Sequence, residues 1–256
     1  MRNLMSCLLA ALLLLPPAMA EEGVPVAAGI FTGLTNAEGT GPYQQVLHEA
    51  ARRAGIKLDE RVYPMKRAQH LFREHQVLAL YGMTEAILAH ESEDKILASY
   101  PVGAFKIYFF TLKGQAPISR YAQLAGKTVG GVLGNEAFYR PLKEKGIKVE
   151  YLADESTQLK KLEAGRIAAL VGFIPDLVPV LDKLSWDPRF PLWEGYDYMT
   201  VWKTPEGQAF VNAISPALVS MHDDGTTARI LGKRFVPFDY HPTKAYEWRP
   251  EQQQTK

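Results

Sequence analysis

The feature that most constrains this chain is a repeated alternation of short apolar runs with segments that have helical spacing. Between Tyr43 and Ala54, apolar residues recur at intervals of three and four, which predicts a helix with one apolar face. Gly55 follows as a helix stop signal. Because strands and helices alternate along the chain, we predict an α/β fold built from βαβ units, with a mainly parallel sheet covered on both faces.

The other segments continue this pattern. Predicted strands cover residues 24–31, 57–62, 77–81, 105–112, 128–132, 148–151, 168–172 and 198–203. Predicted helices cover residues 43–54, 65–75, 137–145, 156–164, 205–221 and 226–235. Pro216 lies inside the fifth helix and predicts a kink, or a restart at Ser215, because proline removes a backbone donor.

The first twenty residues have the organisation of a secretory leader. Arg2 supplies a positive charge, residues 8–15 are uniformly apolar, and Ala18 and Ala20 form a small-residue cleavage site. We therefore predict a signal peptide over residues 1–20 and an exported, periplasmic product. The apolar run is too short for a membrane-spanning helix, which needs about 20 residues. A lipoprotein at Cys7 would need an apolar stretch before the cysteine, and only six residues precede it.

Composition excludes several classes of protein. Lys and Arg number 29 and Asp and Glu 28, a balance that does not suit nucleic-acid binding. A single cysteine excludes a disulfide framework and cysteine-rich metal sites. Two short glycine motifs suggest nucleotide binding, but Tyr121 and Val129 stand where each motif needs glycine. The six histidines have no metal-ligand spacing. We expect no metal and no cofactor.

Two turns between a predicted strand and a predicted helix carry chemistry. At Gly134, Asn135 and Glu136, Asn135 suits an N-cap, and free backbone N–H groups at a helix start can hold an anion. A plain capped helix start explains the same residues. The other turn holds Lys66 and Arg67 in a first helical turn, where a cation opposes the helix dipole. A solvated charge pair is the alternative interpretation there.

Six short motifs occur in an order found in one known family. They are residues 41–43 (Gly-Pro-Tyr), 64–68 (Pro-Met-Lys-Arg-Ala), 80–84 (Leu-Tyr-Gly-Met-Thr), 124–130 (Leu-Ala-Gly-Lys-Thr-Val-Gly), 162–169 (Leu-Glu-Ala-Gly-Arg-Ile-Ala-Ala) and 224–231 (Asp-Gly-Thr-Thr-Ala-Arg-Ile-Leu). With these, the chain resembles the family 3 periplasmic solute-binding proteins, the amino-acid-type receptors of ABC importers. Each motif is weak alone, whereas the ordered set covers nearly the whole chain after the leader.

The resemblance implies the type II periplasmic binding protein fold, in which two crossing strands join two α/β lobes. Residues 24–110 and 204–250 would form lobe I and residues 111–203 lobe II, with a mobile tail at 251–256. The ligand cleft would lie between the lobes, where strand-to-helix loops meet in open α/β sheets. Hinge closure would then trap the ligand.

Two family anchors for amino acids are replaced in this chain. Ser92 stands where the family has an arginine that grips the ligand carboxylate, and Phe173 stands where it has an aspartate that holds the ammonium, with Asp176 close by. We therefore expect a small ligand with an anionic or strongly polar end that is not a simple α-amino acid. Arg67 is the expected grip for that end, because guanidinium binds carboxylate through two parallel N–H bonds.

The expected function is that of a monomeric solute-binding protein that delivers a small solute to the permease of an ABC importer. The predicted ligand-binding residues are Met65, Arg67, Tyr81, Gly82, Met83, Thr84, Gly134, Asn135, Glu136, Phe138 and Phe173. No catalytic constellation is visible, so no enzyme is expected. The alternative is an enzyme of the same fold, similar to the cyclohexadienyl dehydratases, with Glu85, Glu91 or Glu136 as its proton donor.

Overall fold

The computed structural model describes residues 23–82 and 84–250. The predicted leader at 1–20, with its cleavage after Ala20, lies outside the described residues, as do Met83 and the predicted mobile tail at 251–256. Among the residues that are described, no helix combines the length and the apolar character needed to cross a bilayer.

The described part of the chain contains ten strands and seven α-helices. The strands are β1 (Val24–Gly29), β2 (Leu58–Tyr63), β3 (Ala79–Gly82), β4 (Ile96–Ala98), β5 (Gly103–Leu112), β6 (Thr128–Val132), β7 (Lys148–Leu152), β8 (Ala169–Ile174), β9 (Leu184–Ser185) and β10 (Trp193–Trp202). The helices are α1 (Pro42–Ala54), α2 (Met65–Arg73), α3 (Thr84–Leu88), α4 (Glu136–Glu144), α5 (Glu155–Glu163), α6 (Pro205–Asp223) and α7 (Thr226–Leu231).

The strands follow the order β2-β1-β3-β10-β5-β8-β6-β7, with β4 paired to β10 and β9 to β5. Strand β1 is parallel to β2 and β3, and β6 is parallel to β7 and β8. Strands β5 and β10 run antiparallel to their neighbours. The expectation of a parallel sheet is thus confirmed for the outer strands and wrong for the centre, because two long strands return across it.

Strand β10 links the two halves of the molecule. Its end pairs with β3 from Tyr198 to Val201, and its beginning pairs with β5 from Trp193 to Asp197. We call β1–β4 with α1–α3, α6 and α7 the first lobe, and β6–β9 with α4 and α5 the second lobe. The two-lobed fold with two crossing strands is therefore present. The boundaries at residues 110–111 and 203–204 stay predictions.

Helix α1 confirms the helical spacing on which its prediction rested. Tyr43, Val46 and Leu47 are fully buried, and Gly55 ends the helix in the left-handed region at φ 69°. Glycine adopts that conformation without the steric cost that a Cβ imposes. Helix α1 packs against α6 and α7, so its apolar face builds the outer layer of the first lobe.

Helix α6 runs without interruption through Pro216, so the predicted restart at Ser215 is wrong. Ile214 and Leu218 are buried on either side of the proline and hold the helix against the core. Ser215 is also buried, and its Oγ accepts the backbone N–H of Tyr100 at 3.0 Å. Tertiary packing therefore outweighs the one backbone hydrogen bond that Pro216 cannot make.

Candidate functional site

The loops after β1, β3 and β6 converge on Met65, the first residue of α2. A Cβ placed on Gly29 would lie 2.3 Å from Met65 Cε, and one on Gly134 would lie 3.1 Å from Met65 Cβ. Gly82 and Gly134 have φ values of 146° and 102°, a region that favours glycine. Met65 is buried in this place. Its side chain thus fills a junction between backbone segments of both lobes.

Polar contacts cross the junction on one side. Lys66 Nζ lies 2.9 Å from Glu136 Oε1, and Gln69 Nε2 donates to the Gly134 carbonyl at 3.2 Å. The Gly134 N–H donates to the other Glu136 oxygen at 2.9 Å. Desolvation is the largest single effect on Glu136 and raises its pKa, but the hydrogen bond and charge of Lys66 together with the backbone N–H bonds outweigh it and hold the pKa of this carboxyl below its ordinary value. We call this side the paired face.

A second group of residues consists of buried carboxyl groups that we call the acidic cluster: Glu155, Asp176 and Asp197. The Thr32 hydroxyl, from the first lobe, donates to Glu155 Oε2 on α5 of the second lobe. Burial raises the pKa of Glu155, although the Thr32 bond works against the shift. Glu155 is therefore both an inter-lobe contact and a carboxyl that resists ionisation.

Asp176 and Asp197 interact with each other through their charges. Burial raises the pKa of Asp176 well above its ordinary value, with Glu155 and Asp197 adding to the shift and Arg234 opposing it. Burial also raises the pKa of Asp197 to about 7, against the hydrogen bond that Tyr43 donates to Oδ2 at 2.7 Å. The other oxygen of Asp197 is buried and has no hydrogen-bond partner in the described part of the chain. The cluster therefore favours protons or a cationic group.

Aromatic rings flank the junction in both lobes. The ring centroid of Phe138 lies 5.7 Å from that of Phe173 and 5.6 Å from that of Trp193. In the first lobe, Tyr81 stacks on Tyr43 at 5.6 Å and donates its hydroxyl to the Tyr43 carbonyl at 3.1 Å. Because Tyr43 and Tyr81 are fully buried, they belong to the core of the first lobe.

The structure brings most of the predicted site residues together. Met65, Gly82, Gly134, Asn135 and Glu136 meet at the junction, with Phe138 and Phe173 behind it. Thr84 lies in the core, where its hydroxyl bonds that of Thr200 at 2.7 Å. Arg67 is exposed, and its side chain makes no hydrogen bond or ion pair with the described residues. Nothing is described for Met83.

Asn135 is at the N-cap of α4, but its side chain makes no capping hydrogen bond. Its φ of −104° and ψ of 20° depart from the extended conformation that a capping side chain needs. Asn135 Oδ1 is instead buried without a partner among residues 23–82 and 84–250. The predicted capping role is thus wrong, whereas a role toward a ligand stays a prediction.

Two cavities lie between the lobes. The larger has a volume of about 550 Å³ and is bounded by α3, α4, the beginning of β10 and residues 243–247; we call it the hinge cavity. The smaller, of about 410 Å³, lies between α2, α3 and α4. Both are lined by Ala89, Ala137 and Arg140, so they adjoin. A groove of about 900 Å³ between α1 and β2 belongs to the first lobe alone.

Arg140, Asp197 and Trp193 were missed as site residues by the sequence analysis. None of them belongs to a motif. Trp193 and Asp197 lie on β10, far in the sequence from the turns at Met65 and Asn135, whereas Arg140 lies on α4 about one turn after Glu136. Asp176 had a signal, since it lies close to the position of the family's aspartate. No group of three His, Cys, Asp or Glu side chains in the described ranges has the geometry of a metal site.

Comparisons with known proteins establish the class of fold. No protein-family model matches the chain, and no curated protein sequence does. Among solved structures, the GluR0 ligand-binding core from Nostoc punctiforme in complex with L-glutamate matches with a TM-score of 0.68 and 19% identity, over 84% of this chain and 100% of that one. An ancestral arginine-binding protein bound to arginine gives 0.65 and 20%, over 84% and 98%.

A third structure, a putative L-cystine ABC transporter protein from Listeria monocytogenes, gives a TM-score of 0.66 and 18% identity, over 87% of this chain and 99% of that one. At these identities the likeness concerns the fold. The chain therefore has the two-lobed fold of the type II periplasmic binding proteins, as the sequence resemblance implies.

Proposed function

We propose that this protein is a periplasmic solute-binding protein that captures a small polar molecule between its lobes and delivers it to the permease of an ABC importer. The observation that carries the proposal is the junction at Met65, where loops of both lobes meet although only β5 and β10 connect the lobes. Such a connection allows hinge motion. A ligand that contacts both lobes stabilises the closed state by its higher affinity for that state.

Three further points support this function. The similar structures include complexes with L-glutamate and with arginine, so the same fold holds small polar solutes in those proteins. The predicted leader at residues 1–20 suits an exported protein. Volumes of about 550 and 410 Å³ between the lobes also fall in the size range of small-molecule sites.

The grip for an anionic end of the ligand has two candidates. Arg67 is the sequence-based choice and is free to bind because it is exposed and unpaired in the described part of the chain. Arg140 lines both inter-lobe cavities. If Arg67 holds the ligand, Arg67→Ala weakens binding by about 1.5–3 kcal/mol, as expected for a charge-assisted hydrogen bond. A loss in Arg140→Ala alone, measured by calorimetry, would assign the grip to Arg140 instead.

A thermal-shift screen of small polar solutes, with small-angle scattering on each hit, tests the function. The protein from Glu21 onward should gain stability with at least one solute, and its radius of gyration should fall at saturation. If no solute changes either quantity, the proposal fails. A screen in which only common L-amino acids stabilise the protein strongly would contradict the expectation of a different ligand.

One observation favours a test for catalysis as well. Burial raises the pKa of Glu85 to about 7, so this carboxyl holds a proton over part of the neutral range, whereas Glu136 is ionised beside Lys66. Incubation with prephenate or arogenate tests whether this proton is used in catalysis. If the protein only binds its ligand, both compounds should remain unchanged. If the wild type forms an aromatic product and Glu85→Gln does not, the protein would be a lyase and not a solute-binding protein.

A further inference from the structure

The hinge cavity is lined by both lobes and by one of the strands that connect them. The first lobe contributes α3 and residues 243–247, the second lobe contributes α4, and the beginning of β10 crosses between them. A molecule in this cavity therefore contacts both lobes and the connecting strand. Its binding free energy couples directly to closure.

Glu85 supplies an unused hydrogen-bond acceptor in the cavity wall. Its Oε2 atom is buried and has no partner among the described residues. Glu247, in the same wall, is by contrast fully engaged: it accepts the Tyr198 hydroxyl at 2.8 Å and the backbone N–H groups of Thr243 at 2.6 Å and Lys244 at 2.8 Å. A buried acceptor without a donor is unfavourable, so Glu85 favours a ligand that donates a hydrogen bond.

The charges around Glu85 determine which charge on the donor group is favoured. Burial is the main cause of its raised pKa, and the carboxylates of Asp197 and Glu247 raise it further. Arg140 and Lys244 also line the cavity, but both side chains are exposed at its edge, where water and salt screen their charge. The interior of the cavity around Glu85 is therefore negative.

The remaining walls of the cavity are aromatic. Phe138 and Trp193 lie with ring centroids 5.6 Å apart, and Tyr196 and Tyr198 with centroids 5.9 Å apart. Trp193 is 39% exposed, although large apolar side chains are usually covered. Aromatic faces attract cations through the ring quadrupole, most strongly where water is excluded. A carboxylate among aromatic rings is thus a suitable environment for an organic cation.

We propose that the ligand carries an organic ammonium group, which binds in the hinge cavity with an N–H donated to Glu85 and with the aromatic rings around its alkyl or aryl part. This inference rests on the proposed function and names the ligand class for that same inter-lobe site. The ammonium must carry at least one N–H for Oε2, which excludes a quaternary ammonium. The exposed Arg140 is then available for a polar or anionic group at the other end of the ligand.

The test uses ammonium compounds paired with neutral isosteres. Tyramine is compared with tyrosol and putrescine with 1,4-butanediol, within a wider panel of amines, alcohols and carboxylic acids. Thermal shift and calorimetry on the protein from Glu21 onward should show binding of at least one ammonium compound and at least tenfold weaker binding of its neutral partner.

Glu85→Gln should weaken binding of the ammonium compound by about tenfold or more and leave binding of the neutral partner unchanged. Glu206→Gln removes the same charge from an exposed position of the first lobe and should bind as the wild type does.

The pH dependence of the unmodified protein gives a second readout that needs no variant. Glu85 faces Asp197 of β10, Glu247 of the C-terminal segment, and Arg140 and Lys244 at the cavity edge. Because Glu85 must be ionised to hold an ammonium, affinity should rise as the pH passes from 6 to 8.

The inference is overturned if only neutral or anionic compounds bind and cause compaction, an outcome that leaves the proposed function intact. It is also overturned if Glu85→Gln binds the ammonium compound as the wild type does. If no compound of any class binds, the proposed function fails together with it.

Discussion

The paired face and the acidic cluster each include a contact between the two lobes, and they differ in charge and in burial. Lys66 and Glu136 are oppositely charged and remain 56% and 35% exposed. Glu155, Asp176 and Asp197 are all acidic and buried. One side resembles an ordinary surface ion pair, and the other keeps like charges out of water.

This difference shows which side depends on an additional partner. An exposed ion pair contributes about 0–1 kcal/mol and needs no further group. Buried carboxyl groups of like charge are destabilising when ionised, so they favour the protonated state or a cation. Asp197 interacts through its charge both with Asp176 in the cluster and with Glu85 in the hinge cavity. The acidic groups of the junction and of the cavity are therefore electrostatically coupled through Asp197.

The largest expected effect is the response of stability to pH. The folded protein retains protons on Glu85 and Asp197 up to a pH of about 7, and on Asp176 and Glu155 above their ordinary range, whereas the unfolded chain loses them near pH 4. The free energy of unfolding should therefore fall between pH 5 and pH 8, by about 4 kcal/mol or more at 1.36 kcal/mol for each unit of pKa difference.

Urea unfolding at the two pH values measures this change. The raised pKa of His48, caused by its bond to Glu60, acts in the same direction. The carboxylates with lowered pKa values of about 2, Glu49, Asp187 and Asp224, lose their contribution only below about pH 4.5 and do not interfere. Equal stability at both pH values would show that the pKa values of these buried carboxyl groups are not raised in the folded protein.

Asp197→Asn isolates one member of the acidic cluster. At pH 8 the substitution should raise the free energy of unfolding by about 3 kcal/mol, because it removes a buried carboxylate while the amide oxygen still accepts the Tyr43 hydroxyl. At pH 5 the gain should be about 2 kcal/mol smaller, because the folded protein then keeps the proton on Asp197 and only the unfolded chain is ionised there. Destabilisation of the variant at pH 8 would mean that the Asp197 charge is already compensated in the folded protein.

Gly134→Ala tests the packing at Met65. The new Cβ would lie 3.1 Å from Met65 Cβ at a φ of 102°, so the closed junction should lose about 1–2 kcal/mol. Gly146→Ala is the matched control, since its φ is 71° and no atom lies within 4 Å of the added Cβ. Chemical unfolding should show a larger loss of unfolding free energy in Gly134→Ala than in Gly146→Ala. Equal losses would show that the tight packing against Met65 adds no cost at Gly134.

The smallest expected effect belongs to the paired face. Lys66→Ala should lower the free energy of unfolding by about 0.5 kcal/mol at low salt, and the difference should vanish in high salt because the pair is exposed. A loss above about 2 kcal/mol would show that this side also holds a desolvated interaction, which would remove the contrast between the two sides.

Local sequence patterns predicted the regular elements of this fold well. The stripe from Tyr43 to Ala54 and the run at 128–132 match α1 and β6 closely, because apolar periodicity records burial. The first half of β10 was missed, since Glu194, Gly195 and Asp197 interrupt its apolar pattern. Helix α3 was missed because it has only five residues.

The site was predictable only in part. The turns at Met65 and Asn135 carry motifs, and the loops after parallel strands meet at one sheet edge. The hinge cavity carries no such signal. Glu85 and Trp193 are more than a hundred residues apart in the sequence, and only the crossing of β10 between the lobes brings them to one wall. Their shared role depends on burial and distance, which periodicity does not record.

The central claim is that the lobes close on a small ligand, and single-molecule energy transfer tests it most directly. The only cysteine of the sequence, Cys7, lies in the predicted leader, so dyes can be placed at Glu38→Cys in the first lobe and Lys160→Cys in the second, both exposed. A saturating ligand from the solute screen should shift the population to one high-transfer state. An unchanged distribution at saturation would contradict it.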